Sequence, residues 1–210
     1  MNKDRVRAIP KLSGQPKSIC CECMKSKQVK NSHKKIQGIN TTRPLNLLHM
    51  DLISPMRTES KDGKRYIQMV VDDFSRYSFV SFLREKSKTI EHLKVLCTRI
   101  QVEKGNQIMR IRNDRGREFN NIEIYLFCES KGIKHEYSTP RTPQQNGVAE
   151  RKNRVLQEMA RVMINMHDTL MQFWAEAINT TCYNINRVFL RPATKKTSYE
   201  LWTRRKLNPK

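Results

Sequence analysis

The chain has 210 residues, 37% of them hydrophobic, and a mean hydropathy of −0.73, which allows one substantial α/β domain with polar ends. No apolar run reaches the roughly 18 residues of a membrane span, and basic Met1–Lys11 lacks the apolar stretch of a secretory signal. The net charge of +21 and pI near 10.0 point to a polyanion partner, while the six cysteines (Cys20, Cys21 and Cys23 crowded together, Cys97, Cys128 and Cys182 single within apolar patterns) exclude a disulfide framework and fit a reducing compartment.

Residues 1–44 carry 11 Lys/Arg against 2 acids, little apolar periodicity, and Pro10, Gly14 and Pro16, the composition of a flexible segment. From Leu45 the pattern changes. Leu45–Ile53 reads as a buried strand ending at Ser54-Pro55, Tyr66–Val71 as a second and Tyr77–Leu83 as a third, with Asp72, Asp73, Ser75 and Arg76 in the turn between the last two. Short connections make these an antiparallel meander. Ile90, Leu93, Leu96, Cys97 and Ile100 then share one helix face, and Gly105 stands at its stop. Gln107–Arg112 is a fourth strand, Ile122–Glu129 a helix and Ile133–Tyr137 a fifth strand. Residues 138–147 form a loop. Val148–Met166 is a long helix with Val148, Val155, Met159 and Met163 in one stripe. Gln172–Phe189 is a further helix and Thr197–Trp202 a short one. The order predicts an α/β domain with a five-stranded mixed sheet flanked by helices, as a ribonuclease H-like fold requires. The expected domains are 1–40, 41–190 and a basic extension over 191–210.

Three acids stand in diagnostic places. Asp51 lies inside an apolar strand, Asp114 ends the fourth strand, and Glu150 opens the long helix. Singly, Asp114 is explained as a turn residue and Glu150 by the helix macrodipole. Asp51 is harder to dismiss, because a carboxylate within a strand is costly unless paired or metal-bound. Two strands and a helix start could bring all three to one point, with 35 residues between Asp114 and Glu150. Such oxygen ligands suit Mg²⁺ or Mn²⁺, and two such ions can stabilise both the attacking and the leaving oxygen of an in-line phosphoryl transfer. Asp72 and Asp73 are adjacent, so their side chains point to opposite faces, and both are read as turn residues.

Several segments closely resemble the integrase core of copia-type retrotransposons. They are "RPLNLLHMDLISP", "KRYIQMVVDDFSRYSFVSFL", "IRNDRGREFNN", "GIKHEYSTPRTPQQNGVAERKNRVLQEMARVM", "FWAEAINTTCYNINRV" and "TSYELW", and together they cover nearly the whole chain. In that family two aspartates and a glutamate with this spacing are the metal ligands, and they match Asp51, Asp114 and Glu150. Ser54, Asn113 and Arg117 depart from the family pattern without removing a ligand. The resemblance implies Mg²⁺- or Mn²⁺-dependent trimming of DNA 3′ ends and their transfer into target DNA. It also implies a double-stranded DNA partner, a homo-oligomeric active form, no membrane, and action in the nucleus after a cytoplasmic particle stage. A catalytically silent fragment that only binds nucleic acid is the alternative. A true ribonuclease H nuclease leaves "TPQQNGVAERKNR" unexplained.

The loop and long helix are read as a DNA surface. Gln144 and Asn146 offer polar groups from the loop, while Asn153, Arg154 and Gln157 share a helix face with Glu150 and Lys152 stands near them. Cys20 and Cys23 have the spacing of half a zinc site, but no histidine precedes Cys20. In the family a histidine pair upstream completes a His₂Cys₂ module, so the chain is expected to begin inside that module, bind no stable Zn²⁺, and be poorly ordered over 1–40.

Overall fold

The computed structural model describes residues 41–53, 55–114, 116, 122–138, 147–192 and 194–207. The expectations for Cys20, Cys23, Gln144 and Asn146 lie outside these residues. Five strands form: β1 (Leu48–Ile53), β2 (Tyr66–Asp72), β3 (Ser78–Leu83), β4 (Arg110–Asn113) and β5 (Lys134–Tyr137). Their order in the sheet is β3-β2-β1-β4-β5. The β1–β2 and β2–β3 pairs are antiparallel, whereas β4 runs parallel to β1 and β5 parallel to β4. The helices are α1 (Thr89–Lys104), α2 (Ile122–Ser130), α3 (Gly147–Met166), α4 (Trp174–Val188) and α5 (Ser198–Thr203). This is the expected mixed sheet flanked by helices in a ribonuclease H-like arrangement.

Strand alternation divides the core into two layers. Leu48, Met50, Val70 and Ile111 pack with α1, α2 and Trp202 of α5 on one face. Ile67, Met69 and Val71 pack with α3 and α4 on the other. Asp51 lies opposite Met69 in the β1–β2 ladder, so it points toward α3 and α4. α1 buries the stripe read from its periodicity and ends where Gly105 adopts φ 60°. α5 starts with a capping box in which Thr197 and Glu200 bond each other's backbone N–H.

Two expectations need correction. The first strand begins at Leu48, not Leu45. Leu45 has a left-handed φ of 68°, and its N–H donates to Asp72 Oδ1 at 2.8 Å, so a side chain takes the amide a strand would use. Leu45 is nonetheless fully buried. In α3 the buried stripe is Ala149, Asn153, Leu156, Ala160 and Ile164, whereas Val155 is 38% exposed. The small Ala149 and Ala160 let the helix seat closely on the sheet, and Val148, Met159 and Met163 flank the contact.

Asp72 and Asp73 are structural, as their adjacency implied. Asp72 caps the β2–β3 turn by accepting from Ser75 N (2.8 Å) and Ser75 Oγ (2.6 Å). Asp73 gathers Thr41 Oγ1 (2.7 Å), His49 Nε2 (3.0 Å) and Arg76 Nη1 (2.9 Å).

Candidate metal centre

β1 and β4 run parallel with His49 level with Arg112. Asp114 follows directly on the end of β4, close enough to Asp51 for its charge to act on that carboxyl. Asn113, fully buried just before Asp114, steadies the strand end. Its Nδ2 donates to the Asp114 carbonyl at 2.6 Å and its Oδ1 lies 2.6 Å from His135 Nε2 on β5. Asp114 Oδ1 accepts from Gly116 N at 3.1 Å, closing the turn that follows.

α3 supplies the rest. Glu150 sits exposed in its first turn. One turn on, Asn153 is buried and its Nδ2 donates to Asp51 Oδ2. Burial raises the Asp51 carboxyl to about 6, and the charges of Asp114 and Glu150 push the same way, while the Asn153 hydrogen bond opposes them. Among the described residues, no three His, Cys, Asp or Glu side chains form a ready-made metal cluster. The donor set is nevertheless all oxygen, and Asp51 carries an electrostatic cost that a divalent cation would relieve. A hard ion such as Mg²⁺ fits these residues.

The structure separates the side chains read as one DNA-facing stripe. Arg154 and Gln157 are half-buried, and Gln157 Oε1 accepts from Arg161 Nη2 at 3.2 Å. Asn153 is turned inward onto Asp51. Lys152 is half-buried near Cys182 and Arg76, and burial lowers its ammonium to about 8. The contact of Asn153 with Asp51 had a signal in the sequence: Asn153 interrupts the small and apolar row Ala149, Leu156, Ala160, and a polar residue on a buried stripe needs a partner. Asn113 had none, because the contact that buries its oxygen, to His135, comes from a strand 22 positions away.

The family described as "Integrase core domain" matches residues 41–143. The chain is 34% identical over 192 residues, 90% of its length, to the Pol polyprotein of transposon TNT 1-94 from Nicotiana tabacum. It is 30% identical over 170 residues, 80% of its length, to that of transposon RE1 from Arabidopsis thaliana. It spans only 14% and 11% of those two polyproteins. Among solved structures, the HTLV-2 integrase catalytic core domain in complex with magnesium, in its trimeric form, superposes with a TM-score of 0.58 at 22% identity, covering 79% of this chain and 99% of that one. The shared fold, the matched core and the plant relatives agree: residues 41–143 of this chain belong to the integrase core domain family, and the chain is similar to the Pol polyproteins of copia-like retrotransposons.

Proposed function

We propose that the chain is the core of a polynucleotidyl transferase that trims the 3′ ends of its element's double-stranded DNA and joins them to target DNA, with two Mg²⁺ or Mn²⁺ ions held by Asp51, Asp114 and Glu150. The observation that carries this reading is that Asp51, on the sheet face that α3 covers, is hydrogen-bonded by Asn153 of α3 and lies within range of the charges of Asp114 and Glu150. When bound, such ions neutralise charge at the attacked phosphate and activate the attacking hydroxyl. The chain's own residues do the positioning. Above about pH 6 Asp51 is ionised, and Asn153 orients its Oδ2. Asp114 is presented by a strand end locked through Asn113 and His135. Glu150 completes the donor set from α3. Arg154, Gln157 and Lys152, with Gln144 and Asn146 of the preceding loop, are proposed to contact DNA. The excess of Lys and Arg supports a DNA partner. Action on paired DNA ends calls for a homo-oligomer, in line with the trimeric HTLV-2 core, and joining to target DNA is proposed to take place in the nucleus.

A second reading, a chain that binds nucleic acid without catalysis, is favoured by the absence of a ready-made three-ligand cluster among the described residues. A gel assay of disintegration, the reverse of strand transfer, separates the two. The substrate is branched DNA with Mn²⁺, and the chain is compared with Glu150→Gln. Activity lost in the variant supports the transferase. Inactivity of both, with salt-sensitive DNA binding retained, supports the binding-only chain.

A further inference from the structure

A cleft of about 930 Å³ opens at the end of the sheet away from the carboxylates. Its position follows from the register. Leu48 pairs with Asp72, and Asp73 N donates to the Leu47 carbonyl at 2.9 Å, so the β2–β3 turn abuts the start of β1. Phe74 in that turn lines the cleft. Asp51 lies three residues further along β1, roughly 10 Å away by strand rise.

Its walls bring three segments together: residues 42–44 before β1, residues 194–196 before α5, and residues 204–206 after α5. They carry six cations: Arg43, Lys195, Lys196, Arg204, Arg205 and Lys206. Among the described residues one acid lines it, Glu200, and its carboxylate caps α5. Oε2 accepts from Thr197 N at 2.9 Å and from Thr197 Oγ1 at 3.3 Å, and Oε1 from Leu207 N at 3.3 Å. Among the described residues, Arg43 Nη1 is buried with no hydrogen-bond partner, a donor whose desolvation they leave unoffset. α5 holds two of the three segments in place, because Trp202 is buried against Tyr77 and Phe79.

We infer that this cleft holds a nucleic-acid strand by its phosphates, at a site separate from the carboxylate centre. Six cations spread over this volume exceed what one phosphate ion can use and suit a repeating anion. Three are arginines, whose planar forks match phosphate oxygens. The half-buried Phe74 ring adds an aromatic face on which a base stacks, a feature that an acidic peptide would leave unused. The site needs neither metal nor acidic ligands, so it stands or falls independently of the catalytic reading.

The test is fluorescence anisotropy on the full chain with a labelled 20-nucleotide single strand in EDTA, across a salt series. The cleft variant is Lys196→Glu/Arg205→Glu/Lys206→Glu. A control, Arg84→Glu/Lys94→Glu/Arg99→Glu, changes the net charge equally at exposed positions away from the cleft. The cleft variant is expected to bind at least about tenfold more weakly and to flatten the log–log salt slope by about 2, at roughly 0.7 per lost phosphate contact. The control is expected to lose no more than about threefold. Phe74→Ala, which changes no charge, is expected to weaken single-strand binding about fivefold at an unchanged slope. Equal losses in the two triple variants would overturn the inference, as would displacement of the strand by poly-glutamate of equal charge as effectively as by unlabelled DNA. Circular dichroism matching the wild type certifies the folded state of each variant.

Discussion

The side-chain amide of Asn153 donates to Oδ2 of Asp51 and so ties α3 to the central strand of the sheet. Turning the amide over would set its oxygen against the carboxylate, so one orientation alone is bonded. Among the described residues the buried Asn153 oxygen itself has no partner. The amide therefore serves Asp51, and its cost is borne by the fold.

Asn153→Ala removes the one side-chain hydrogen bond that favours the charged form of Asp51. The carboxyl, already near 6, then moves higher, by about one unit if the bond is of ordinary strength. In the wild type, Mn²⁺ affinity measured by calorimetry should fall about tenfold per pH unit below about 6, as protons compete for Asp51. In the variant the same fall should begin nearer pH 7. A variant that weakens binding equally at every pH would show that Asn153 only supports packing.

Asp51→Asn should abolish strand transfer and yet stabilise the chain. The Asp51 carboxyl sits near 6 when folded and near 3.8 when unfolded, so the folded state holds the proton more tightly. Stability from this group is full below pH 3.8 and is lost as pH rises through about 6. Two units correspond to at most about 3 kcal/mol, so at pH 7 and without metal the variant should gain about 1–3 kcal/mol in urea unfolding. That gain should disappear at pH 4. A variant less stable than the wild type at pH 7 would contradict the electrostatic account.

Asp73 should titrate stability in the opposite direction. Burial works to raise its carboxyl, but the hydrogen bond to His49, the charge of Arg76 and the Thr41 hydroxyl outweigh it and hold the group at about 2. Its contribution is present above the unfolded value of 3.8 and is lost as pH falls toward 2. Asp73→Ala leaves the buried His49 and the Arg76 guanidinium without their acceptor, and should cost about 3 kcal/mol at pH 7. Urea midpoints at pH 7 and pH 3 check this, since the penalty should shrink at the lower pH.

Trp202→Ala should loosen the basic segment after residue 190. The ring stacks on Tyr77 with centroids 5.5 Å apart, meets Phe79 edge-on at 5.2 Å, and lies 4.3 Å beneath Lys104 Nζ. Its Nε1 donates to Glu103 Oε1 at 2.8 Å. Losing this contact should cost about 3–5 kcal/mol and bring tryptic cleavage at Arg204 and Arg205 forward. An unchanged melting temperature would show that α5 is not anchored by this residue.

Much of the scaffold was legible from residue periodicity. The α1 stripe of Ile90, Leu93, Leu96, Cys97 and Ile100 is buried throughout, because a large amphipathic face has one place to go. The alternation along β2 likewise divides between the two layers. The α3 face was misread because weight was given to bulky Val155 and not to Ala149 and Ala160, the residues small enough to bring a helix close to a sheet. Leu45–Leu47 was misread as strand because a carboxylate 27 positions away captures the Leu45 amide, a contact no local pattern encodes. At the candidate site, spacing and resemblance picked out the three acids. Asn153 was read toward DNA although it interrupts a buried row, and Asn113 went unread because its partner His135 lies 22 positions away.

The bond between Asn153 and Asp51 also sets an order of events during synthesis. The two residues are 102 positions apart, and α3 is made after every strand of the sheet. A nascent chain therefore carries Asp51 in water, at an ordinary carboxylate acidity, until α3 has emerged and docked. The share of its raised proton affinity that comes from burial under α3 and from Glu150 arrives with that late docking. A ribosome-bound intermediate lacking α3 would thus hold the sheet's carboxylates as surface acids, and the candidate metal centre would be completed by one of the last long-range contacts of the fold.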